Sequence, residues 1–433
     1  MGSLSRRAVL KGLGLAGVVG GVGAWALAEN KAPEQVLEEM FQDALTALPA
    51  ATISAAVIKS GELAWAKSFG YQDLESKTPA SLDSIWPTLG SVSKLVTWTA
   101  LMQLVETGAI QLDGDISDYL GFTLRNPSFP DTPITPYHLL THSSSLSSRR
   151  MTSAPDIMAD LFCKDYQESL NAWVLAYLAP EGAYYNSELV FDNYRPGDFA
   201  NVTPDPLGVV AGYSNLNAML AAHMVEQVTS QSFEEYTSKR IFLPLGIEDA
   251  GWQKDVLNQA KIITPYEAKN SPRPPVMAVY TKSMQDRGYM GTSEIAAVGN
   301  KSYFSMADCQ YFSPFSSAAL LGASTHALTA FIQSFLPHAK TRLLQRETLD
   351  RMWKVHRQDA ITGSKLGLGW FQFATPRHGV FWGHDGGGPG ILSRVMIDPH
   401  SGNGVVLLIN NFFVDFRRRS QLLEELCSSL KVV

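Results

Sequence analysis

The chain has 433 residues, of which 45% are hydrophobic and 18% are charged, and its formal net charge is -6. A chain of this length can bury a large core and form more than one domain, because compact domains run to roughly 100–200 residues. The charge is slightly acidic and no basic stripe is present, which excludes an extended nucleic-acid surface and favours a small molecule or a peptide as the substrate.

The first 28 residues have the composition of an export signal. The segment "SRRAVLK" (5–11) carries paired arginines, a glycine-rich apolar run covers 12–24, and "ALA" follows. This pattern is similar to twin-arginine signal peptides. We therefore predict a cleaved signal and a body that is periplasmic or secreted. An uncleaved inner-membrane anchor is the alternative, and membrane contact is expected only in that case.

Cysteines are few for an exported chain of this size: Cys163, Cys309 and Cys427. At most one disulfide can form within the chain, and none is required, because a large core does not need a covalent staple. If one forms, we predict that Cys163 pairs with Cys309. None of the three has the surroundings that mark a catalytic thiol.

Apolar periodicity and turn residues predict the following order of elements. They are an amphipathic helix at 33–48, two strands around a turn at 59–62, a buried helix from Ser91, a short helix within 134–146 capped by Thr135, further helices in the middle, four strands near the C terminus with a turn at 399–402, and a helix at 417–430. Strands at both ends with helices between them predict an α+β fold, in which one sheet is built from both chain ends and a mostly helical domain is inserted.

Domain boundaries follow from this order. We predict the signal at 1–28, an α/β domain from 29–85 and 318–433, a helical domain at 86–317, and within it two insertions at 147–205 and 265–317. The insertions have weak periodicity and are rich in prolines and aromatic residues. Long segments of this kind are often lids or binding loops, so we predict that they lie over the site.

Lys94 is the only charged residue between Asp83 and Glu106, in the apolar segment "LGSVSKLVTW". A bare ammonium in a core is costly unless it is paired or its pKa falls. Ser91 lies three residues earlier and shares one helix face with Lys94. A desolvated lysine with a lowered pKa can activate a serine nucleophile, which explains a lysine in this position.

Two further motifs accompany Ser91 and Lys94: "GYSN" at 212–215 and "WGHDGGGPG" at 382–390. In order and spacing, the three motifs resemble those of the serine β-lactamase and penicillin-binding family, in its class C β-lactamase and family VIII esterase branch. Flanking segments such as "ITPYHLLTHSSSL" and "LGLGWFQF" agree, and the resemblance spans most of 51–411. It implies a β-lactamase/transpeptidase-like α+β fold with an antiparallel sheet. No metal or organic cofactor is implied, because the chain itself supplies nucleophile, base and oxyanion donors.

The resemblance also implies catalytic roles. Ser91 would be the nucleophile that forms an acyl-enzyme, and Lys94 with Tyr213 would shuttle its proton. Which of the two is the base is left open. Asn215 would hold the Lys94 ammonium and a substrate amide.

The third motif supplies substrate-binding groups by the same resemblance. His384 takes the place of the family's lysine, Gly386 completes the H-x-G pattern, and the backbone N–H groups of Ser91 and Gly387 would form the oxyanion hole.

This third motif departs from the family pattern K-T-G, whose cation and hydroxyl receive the carboxylate of a β-lactam. Here it is His384-Asp385-Gly386, which carries less positive charge because histidine is mostly neutral at pH 7 and aspartate is negative. Arg394 on the next predicted strand is either a carboxylate contact or, in the preferred interpretation, an exposed surface arginine. We expect a serine hydrolase that is an esterase or a D-amino-acid-type peptidase or carboxypeptidase, with a β-lactamase as the alternative.

The same residues allow competing interpretations. Ser91 and Lys94 can be a capping serine and a surface-reaching lysine. The alternative from another class is a non-catalytic penicillin-fold protein that binds cell-wall fragments or a partner. The glycine run after His384 is also similar to an oxyanion loop of α/β-hydrolases, but that fold needs a G-x-S-x-G motif, which the sequence lacks.

Two further clusters are assigned no function from the sequence. His138 and His142 are four residues apart on a predicted helix, but no third ligand completes a zinc pattern, so packing or hydrogen bonding is expected. The aromatic residues Tyr184, Tyr185, Tyr194 and Phe199 either line a cleft or pack a loop.

Overall fold

The structure is a computed structural model. It describes residues 31–48, 50–148, 168–199, 210–252, 257–269, 282–291, 295–297, 301–306, 316–375, 377–388, 390–411 and 416–430. The predicted signal at 1–28 and both cysteines of the predicted disulfide, Cys163 and Cys309, lie outside these residues. Those predictions therefore stay predictions.

The strands of the large sheet lie near the two ends of the chain, and most helices lie between them. The helices are α1 (Pro33–Ala47), α2 (Lys94–Glu106), α3 (Ser117–Leu120), α4 (Pro136–Leu140), α5 (Leu170–Tyr177), α6 (Ser187–Val190), α7 (Asn215–Thr229), α8 (Phe233–Thr237), α9 (Ser316–Ala319), α10 (Thr325–Gln333), α11 (Arg346–Met352) and α12 (Phe416–Ser429). The strands are β1 (Thr52–Lys59), β2 (Glu62–Asp73), β3 (Thr78–Pro79), β4 (Ile85–Trp86), β5 (Ala250–Gly251), β6 (Tyr266–Ala268), β7 (Ile295–Ala297), β8 (Lys301–Ser305), β9 (Gly322–Ser324), β10 (Arg357–Gln358), β11 (Lys365–Leu366), β12 (Phe371–Thr375), β13 (Gly379–Gly388), β14 (Ile391–Asp398) and β15 (Asn403–Ile409).

A nine-stranded sheet forms the centre, in the order β10-β11-β12-β13-β14-β15-β1-β2-β3. Strand β1 lies between β15 and β2 and pairs antiparallel with both, so the N-terminal strands complete a sheet that the C-terminal strands begin. The remaining pairs in this sheet are also antiparallel. The predicted α+β fold, with one antiparallel sheet from both chain ends and helices inserted between them, is confirmed.

Both faces of the sheet are covered, which is why β1 is buried along almost its whole length. One face packs under α1 and α12 around residues such as Phe41 and Leu426. The other face shares a larger core with the helices, centred on α2 and α7 and including Trp98. Burial of these apolar side chains supplies the main stabilisation, at about 25 cal/mol per Å² of apolar surface removed from water.

Several turns and helix caps lie where the sequence predicts them. The hairpin turn lies at Ser60-Gly61, both in the left-handed region with φ of 52° and 88°, as two-residue hairpins require. Thr135 caps α4 by accepting the backbone N–H of His138, and the His138 ring accepts the N–H of Thr135 in return. The last helix and the turn before β15 also lie where they were predicted.

One predicted strand is divided in two. The segment "LGLGWFQF" forms β11 and β12 with a bend between them, because Gly369 has φ +76° and a Cβ there would lie 2.4 Å from the ring of Trp98. Only glycine allows this backbone to approach the indole so closely.

Parts of the two predicted insertions are described. Helices α5 and α6 lie in the first, and a small sheet in the order β6-β8-β7 lies in the second. Whether the insertions cover the site, and where the domains divide, stay predictions. Across the described ranges, every helix is too short or too polar to traverse a bilayer.

Candidate active site

Ser91 lies on a sharp turn at the entrance to a buried helix. Residues Gly90–Ser93 form a 3-10 turn, and α2 follows directly at Lys94, so the regular helix begins three residues later than predicted. Gly90 has φ +54°, and a Cβ at this position would come within 2.4 Å of Gly387 N on β13. A glycine is required here because both the backbone conformation and the close approach exclude a side chain.

The amine of Lys94 is fully buried and lies beside the serine. Lys94 Nζ is 3.0 Å from Ser91 Oγ and donates a hydrogen bond to the carbonyl oxygen of Ala318 at 2.6 Å. Burial lowers the pKa of Lys94 well below its usual value, since a low-dielectric environment disfavours the charged form. With one N–H directed at Ala318, the lone pair of a neutral amine is available to the Ser91 hydroxyl.

The carbonyl that orients this amine belongs to a short helix, α9. Its neighbouring carbonyls are used in the same way: Thr97 donates to Ser317 O and Thr88 donates to Ala319 O, both at 2.6 Å. Sequence analysis missed Ala318, because a backbone acceptor leaves no mark in the residue type. The threonines on either side of Lys94 were the available hint, since buried hydroxyls need acceptors.

Tyr213 completes the cluster, from the turn that precedes α7. Lys94 Nζ lies 5.1 Å from the centroid of the Tyr213 ring. Asn215, the first residue of α7, donates its backbone N–H to Ser148 Oγ at 3.0 Å. Its buried Oδ1 has no hydrogen-bond partner among the described residues. The structure thus brings Ser91, Lys94 and Tyr213 together, whereas Lys94 uses Ala318 and not Asn215 as its acceptor.

His142 packs against the ring of Tyr213. The two rings are 4.3 Å apart between centroids and inclined by 31°. Its Nδ1 accepts the backbone N–H of Ser214 at 3.2 Å and lies 3.1 Å from the Asn217 amide nitrogen. Burial lowers the pKa of His142 well below its usual value, and the positive charge of Arg357 acts in the same direction. His142 is therefore a neutral ring that holds the tyrosine and its turn, which agrees with the predicted packing role.

Strand register directs His384 toward this cluster. On β13, Trp382 packs in the core shared with the helices and Phe381 packs in the core on the opposite face. Side chains alternate along a strand, so His384 faces the helices. Its ring lies 4.9 Å from that of Phe371 and 6.4 Å from that of Tyr213. Burial, followed by the charge of Lys94, lowers the pKa of His384 to about 4, so this position is uncharged at neutral pH.

Asp385 faces the opposite side of the sheet, which corrects its predicted contribution to the site's charge. It lies directly opposite Arg394 on β14, and the two side chains form a bidentate ion pair. Arg394 stacks its guanidinium 4.6 Å from the centroid of the Phe373 ring and is only 14% exposed. Arg394 is therefore neither an exposed surface arginine nor a group in the site, because its carboxylate partner is Asp385.

The two proposed oxyanion donors meet where the serine turn packs on β13. Strand β12 pairs with β13 only as far as Gly383, and the rest of that edge faces the turn at Gly90–Ser93. A Cβ at Gly386 would lie 3.0 Å from Ser91 N, just as one at Gly90 would meet Gly387 N. The absence of side chains at Gly90 and Gly386 thus lets the serine turn lie against β13, with Ser91 N close to Gly386 and Gly387 N close to Gly90.

Comparison with known proteins agrees with this geometry. A sequence profile described as beta-lactamase matches residues 37–427. The chain belongs to this family. It is 31% identical over 210 residues to a lovastatin esterase of Penicillium rubens, a match that covers 44% of the chain and 45% of the esterase. Matches to the sequence relatives span less than half of the relatives' own length.

Solved structures establish the fold. D-amino acid amidase from Ochrobactrum anthropi SV3, complexed with L-phenylalanine, superposes with a TM-score of 0.66 at 18% identity, covering 91% of this chain and 98% of the amidase. EstCE1, described as a hydrolase with promiscuous acyltransferase activity, gives 0.64 at 19% identity, covering 90% and 97%. The β-lactamase/transpeptidase-like fold is therefore confirmed.

The remaining sequence candidates have separate environments. His138 belongs to the cap of α4, and within the described ranges no group of three or more His, Cys, Asp or Glu side chains is placed to hold a metal ion. The aromatic residues have different environments. Tyr194 is buried, and its hydroxyl oxygen accepts the backbone N–H of Ser145. The Phe199 ring packs against the Arg357 guanidinium, and Tyr184 is 65% exposed. For Tyr194, loop packing is the interpretation that holds.

Acidification is expected to destabilise the folded protein between about pH 6.5 and pH 4. The pKa of His384 is about 4 in the folded chain, against an ordinary value of 6.5, so the unfolded chain takes up the proton first as the pH falls. The stability that the neutral ring contributes is complete above pH 6.5 and is lost toward pH 4, by ~3 kcal/mol. Urea denaturation at pH 7.5 and at pH 4.5 measures this difference.

The control is His384→Gln, which removes the titrating ring and should make the free energy of unfolding depend less on pH in this range. Equal pH dependence in the variant and the wild type would contradict the assignment.

Proposed function

We propose that this protein is a serine hydrolase that cleaves an ester or amide bond through an acyl-enzyme on Ser91. The observation that carries the proposal is the 3.0 Å contact between Ser91 Oγ and a fully buried Lys94 amine. Burial depresses the pKa of that amine. A neutral amine within hydrogen-bond reach of a hydroxyl is the arrangement that activates a serine nucleophile.

The proposed reaction has two halves. Ser91 Oγ attacks the carbonyl carbon while its proton passes to the Lys94 and Tyr213 pair, and the oxyanion is held by the backbone N–H groups of Ser91 and Gly387. The same pair returns the proton to the leaving alkoxide or amine. A water then attacks the acyl-enzyme, with its proton taken by the pair and delivered to Ser91 Oγ as the bond breaks.

We further propose that the substrate is neutral next to the scissile bond. The family's lysine is replaced by His384, which is buried, has a pKa of about 4 and packs edge-on against Phe371. Arg394 on the neighbouring strand is engaged by Asp385 on the far face of the sheet. A neutral aromatic wall suits an ester or a D-amino-acid amide better than a β-lactam or a C-terminal carboxylate. The lovastatin esterase relative and the D-amino acid amidase likeness support these classes.

A substrate panel tests the proposal. We expect kcat/KM for a short p-nitrophenyl ester to exceed that for nitrocefin by at least about 10-fold, since a missing charge-assisted hydrogen bond to the carboxylate costs roughly 1.5–3 kcal/mol. A peptide ending in D-Ala-D-Ala should also be a poor substrate. The measurement is initial rates on the three substrates with one enzyme preparation.

His384→Lys is the matched variant, because it restores a cation at the same position. It should raise the ratio of nitrocefin to ester hydrolysis. Faster hydrolysis of nitrocefin than of the ester by the wild type would refute the neutral-substrate proposal and favour the β-lactamase alternative. A non-catalytic binding protein would hydrolyse none of the three.

Export to the periplasm or beyond is likewise a proposal, and it rests on the arginine pair and apolar run in 1–28. We propose that the substrate is met there.

A further inference from the structure

Arg357, on strand β10 at the edge of the large sheet, has its guanidinium buried between two loops of the site. It is 2% exposed. Its Nη1 donates to the carbonyl oxygens of Thr141, at 3.1 Å, and of His142, and its Nη2 donates to the carbonyl oxygen of Ala211. One planar guanidinium therefore joins the loop that carries His142 to the turn that carries Tyr213.

Asp359, two residues further on, holds the same turn from its other side. One carboxylate oxygen accepts the backbone N–H of Ala211 at 2.7 Å, and the other accepts the N–H groups of Ile361 and Thr362, each at 2.8 Å. The Asp359 carboxylate also lies 3.7 Å from the Arg357 guanidinium, and both side chains are 1% exposed. The peptide groups on the two sides of Ala211 are thus clamped by an ion pair.

Ala211 is two residues before Tyr213, and His142 stacks on the Tyr213 ring at 4.3 Å. His142 also accepts the N–H of Ser214. The tyrosine is accordingly held through its preceding backbone, its following backbone and its ring face. The two residues that provide these supports, Ala211 and His142, both accept hydrogen bonds from Arg357.

We infer that Arg357 and Asp359 are positioning residues that hold Tyr213 within reach of Lys94 and Ser91. A buried ion pair contributes less to the free energy of folding than apolar residues of similar size, because both charges must be desolvated. The pair is explained if its hydrogen bonds fix a geometry that catalysis needs, because small displacements of a reacting group cost large factors in rate. The effect on catalysis rests on the proposed function, whereas the hydrogen bonds of Arg357 and Asp359 to the turn do not.

The test compares Arg357→Met, Arg357→Lys, Asp359→Asn and the double variant Arg357→Met/Asp359→Asn. Active sites are first counted by saturating fluorophosphonate labelling, so that rates refer to folded enzyme alone. We expect kcat per labelled site to fall by about 10²-fold in Arg357→Met with KM within about threefold of wild type. Arg357→Lys should be intermediate, because an ammonium cannot span three carbonyl oxygens in a plane.

The double variant separates positioning from charge balance. If Arg357 only neutralises a buried carboxylate, removing both charges restores kcat; if the pair positions the turn, the double variant stays as slow as Arg357→Met. Arg125→Met is the matched control, since the Arg125 and Asp115 ion pair is partly buried and its hydrogen bonds stay within residues 115–125. Its kcat per labelled site should equal that of the wild type.

Hydrogen–deuterium exchange over residues 210–216 gives a readout that does not depend on activity. Exchange should accelerate in Asp359→Asn and Arg357→Lys and stay unchanged in Arg125→Met. Unaltered exchange, or kcat within threefold of wild type in Arg357→Met and Asp359→Asn, overturns the inference. The wild type could fail both to react with the fluorophosphonate and to hydrolyse the substrate, while exchange still accelerates in the variants. In that case the proposed function is wrong, but the inference that Arg357 and Asp359 hold the turn at 210–216 is supported.

Discussion

Replacing Ser91 by alanine is expected to lower kcat for a p-nitrophenyl ester by at least about 10⁴-fold, because the covalent route is lost and only binding and oxyanion stabilisation remain. Covalent labelling by a fluorophosphonate probe should disappear as well. Ser91 is the hydroxyl that lies 3.0 Å from the buried Lys94 amine, so the effect should be specific to this serine. Steady-state rates and gel fluorescence of the probe measure the two effects.

Ser93→Ala is the control for this result. Ser93 lies on the same turn but is fully buried, whereas Ser91 is partly exposed, and the Ser93 Oγ accepts the backbone N–H of Leu321 at 3.1 Å. Its loss should cost about 1 kcal/mol of stability through a missing hydrogen bond, with probe labelling retained. Labelling that persists in Ser91→Ala, or that vanishes in Ser93→Ala at an unchanged melting temperature, would remove Ser91 from its proposed role.

Replacing Lys94 by methionine is expected to lower the rate of acylation by about 10³-fold, within the range that general-base catalysis contributes. Methionine has nearly the length of lysine but no proton acceptor of comparable basicity. The free energy of unfolding should remain equal or increase, since a buried amine is exchanged for an apolar side chain at little change in volume. Single-turnover labelling measures the acylation rate, and urea denaturation measures the free energy of unfolding.

The pH dependence of labelling sharpens the same experiment. In the wild type the rate should rise with pH until the Lys94 amine is neutral, at a pH well below that of an ordinary lysine, as its burial implies. In Lys94→Met the rate should be low and nearly independent of pH.

Lys239→Met, at an exposed ion pair with Glu235, is the control and should alter neither quantity. An acylation rate for Lys94→Met within tenfold of wild type would mean that another group is the base.

Much of the site was predictable because its key spacing is local. Ser91 and Lys94 lie one turn apart along a single stretch of chain, so their contact needed only a helical segment and a buried environment. Thr135 was also recognisable, as a residue whose side chain suits a helix cap. The family resemblance then added Tyr213 and the His384 strand, which no local rule would have joined to Ser91.

Other features depend on which strand pairs with which, and at what register. Asp385 was expected to add negative charge to the site, but the pairing of β13 with β14 places it opposite Arg394 on the other face of the sheet. A one-residue change of register would reverse this assignment, since successive side chains point to opposite faces. Sequence alone could name both residues without saying which way either points.

By itself, then, the amino-acid sequence determined the fold class, the hairpin and caps, and the serine and lysine of the cluster, because each depends on residue types within a few positions of one another. Only the tertiary structure decided that Ala318 orients the amine, that His142 lies on Tyr213, and that Arg357 joins the two loops. These contacts link segments far apart in the chain through backbone carbonyls and ring faces. Such groups are common to many residue types, so their partners are selected by packing and register and leave little trace in the sequence.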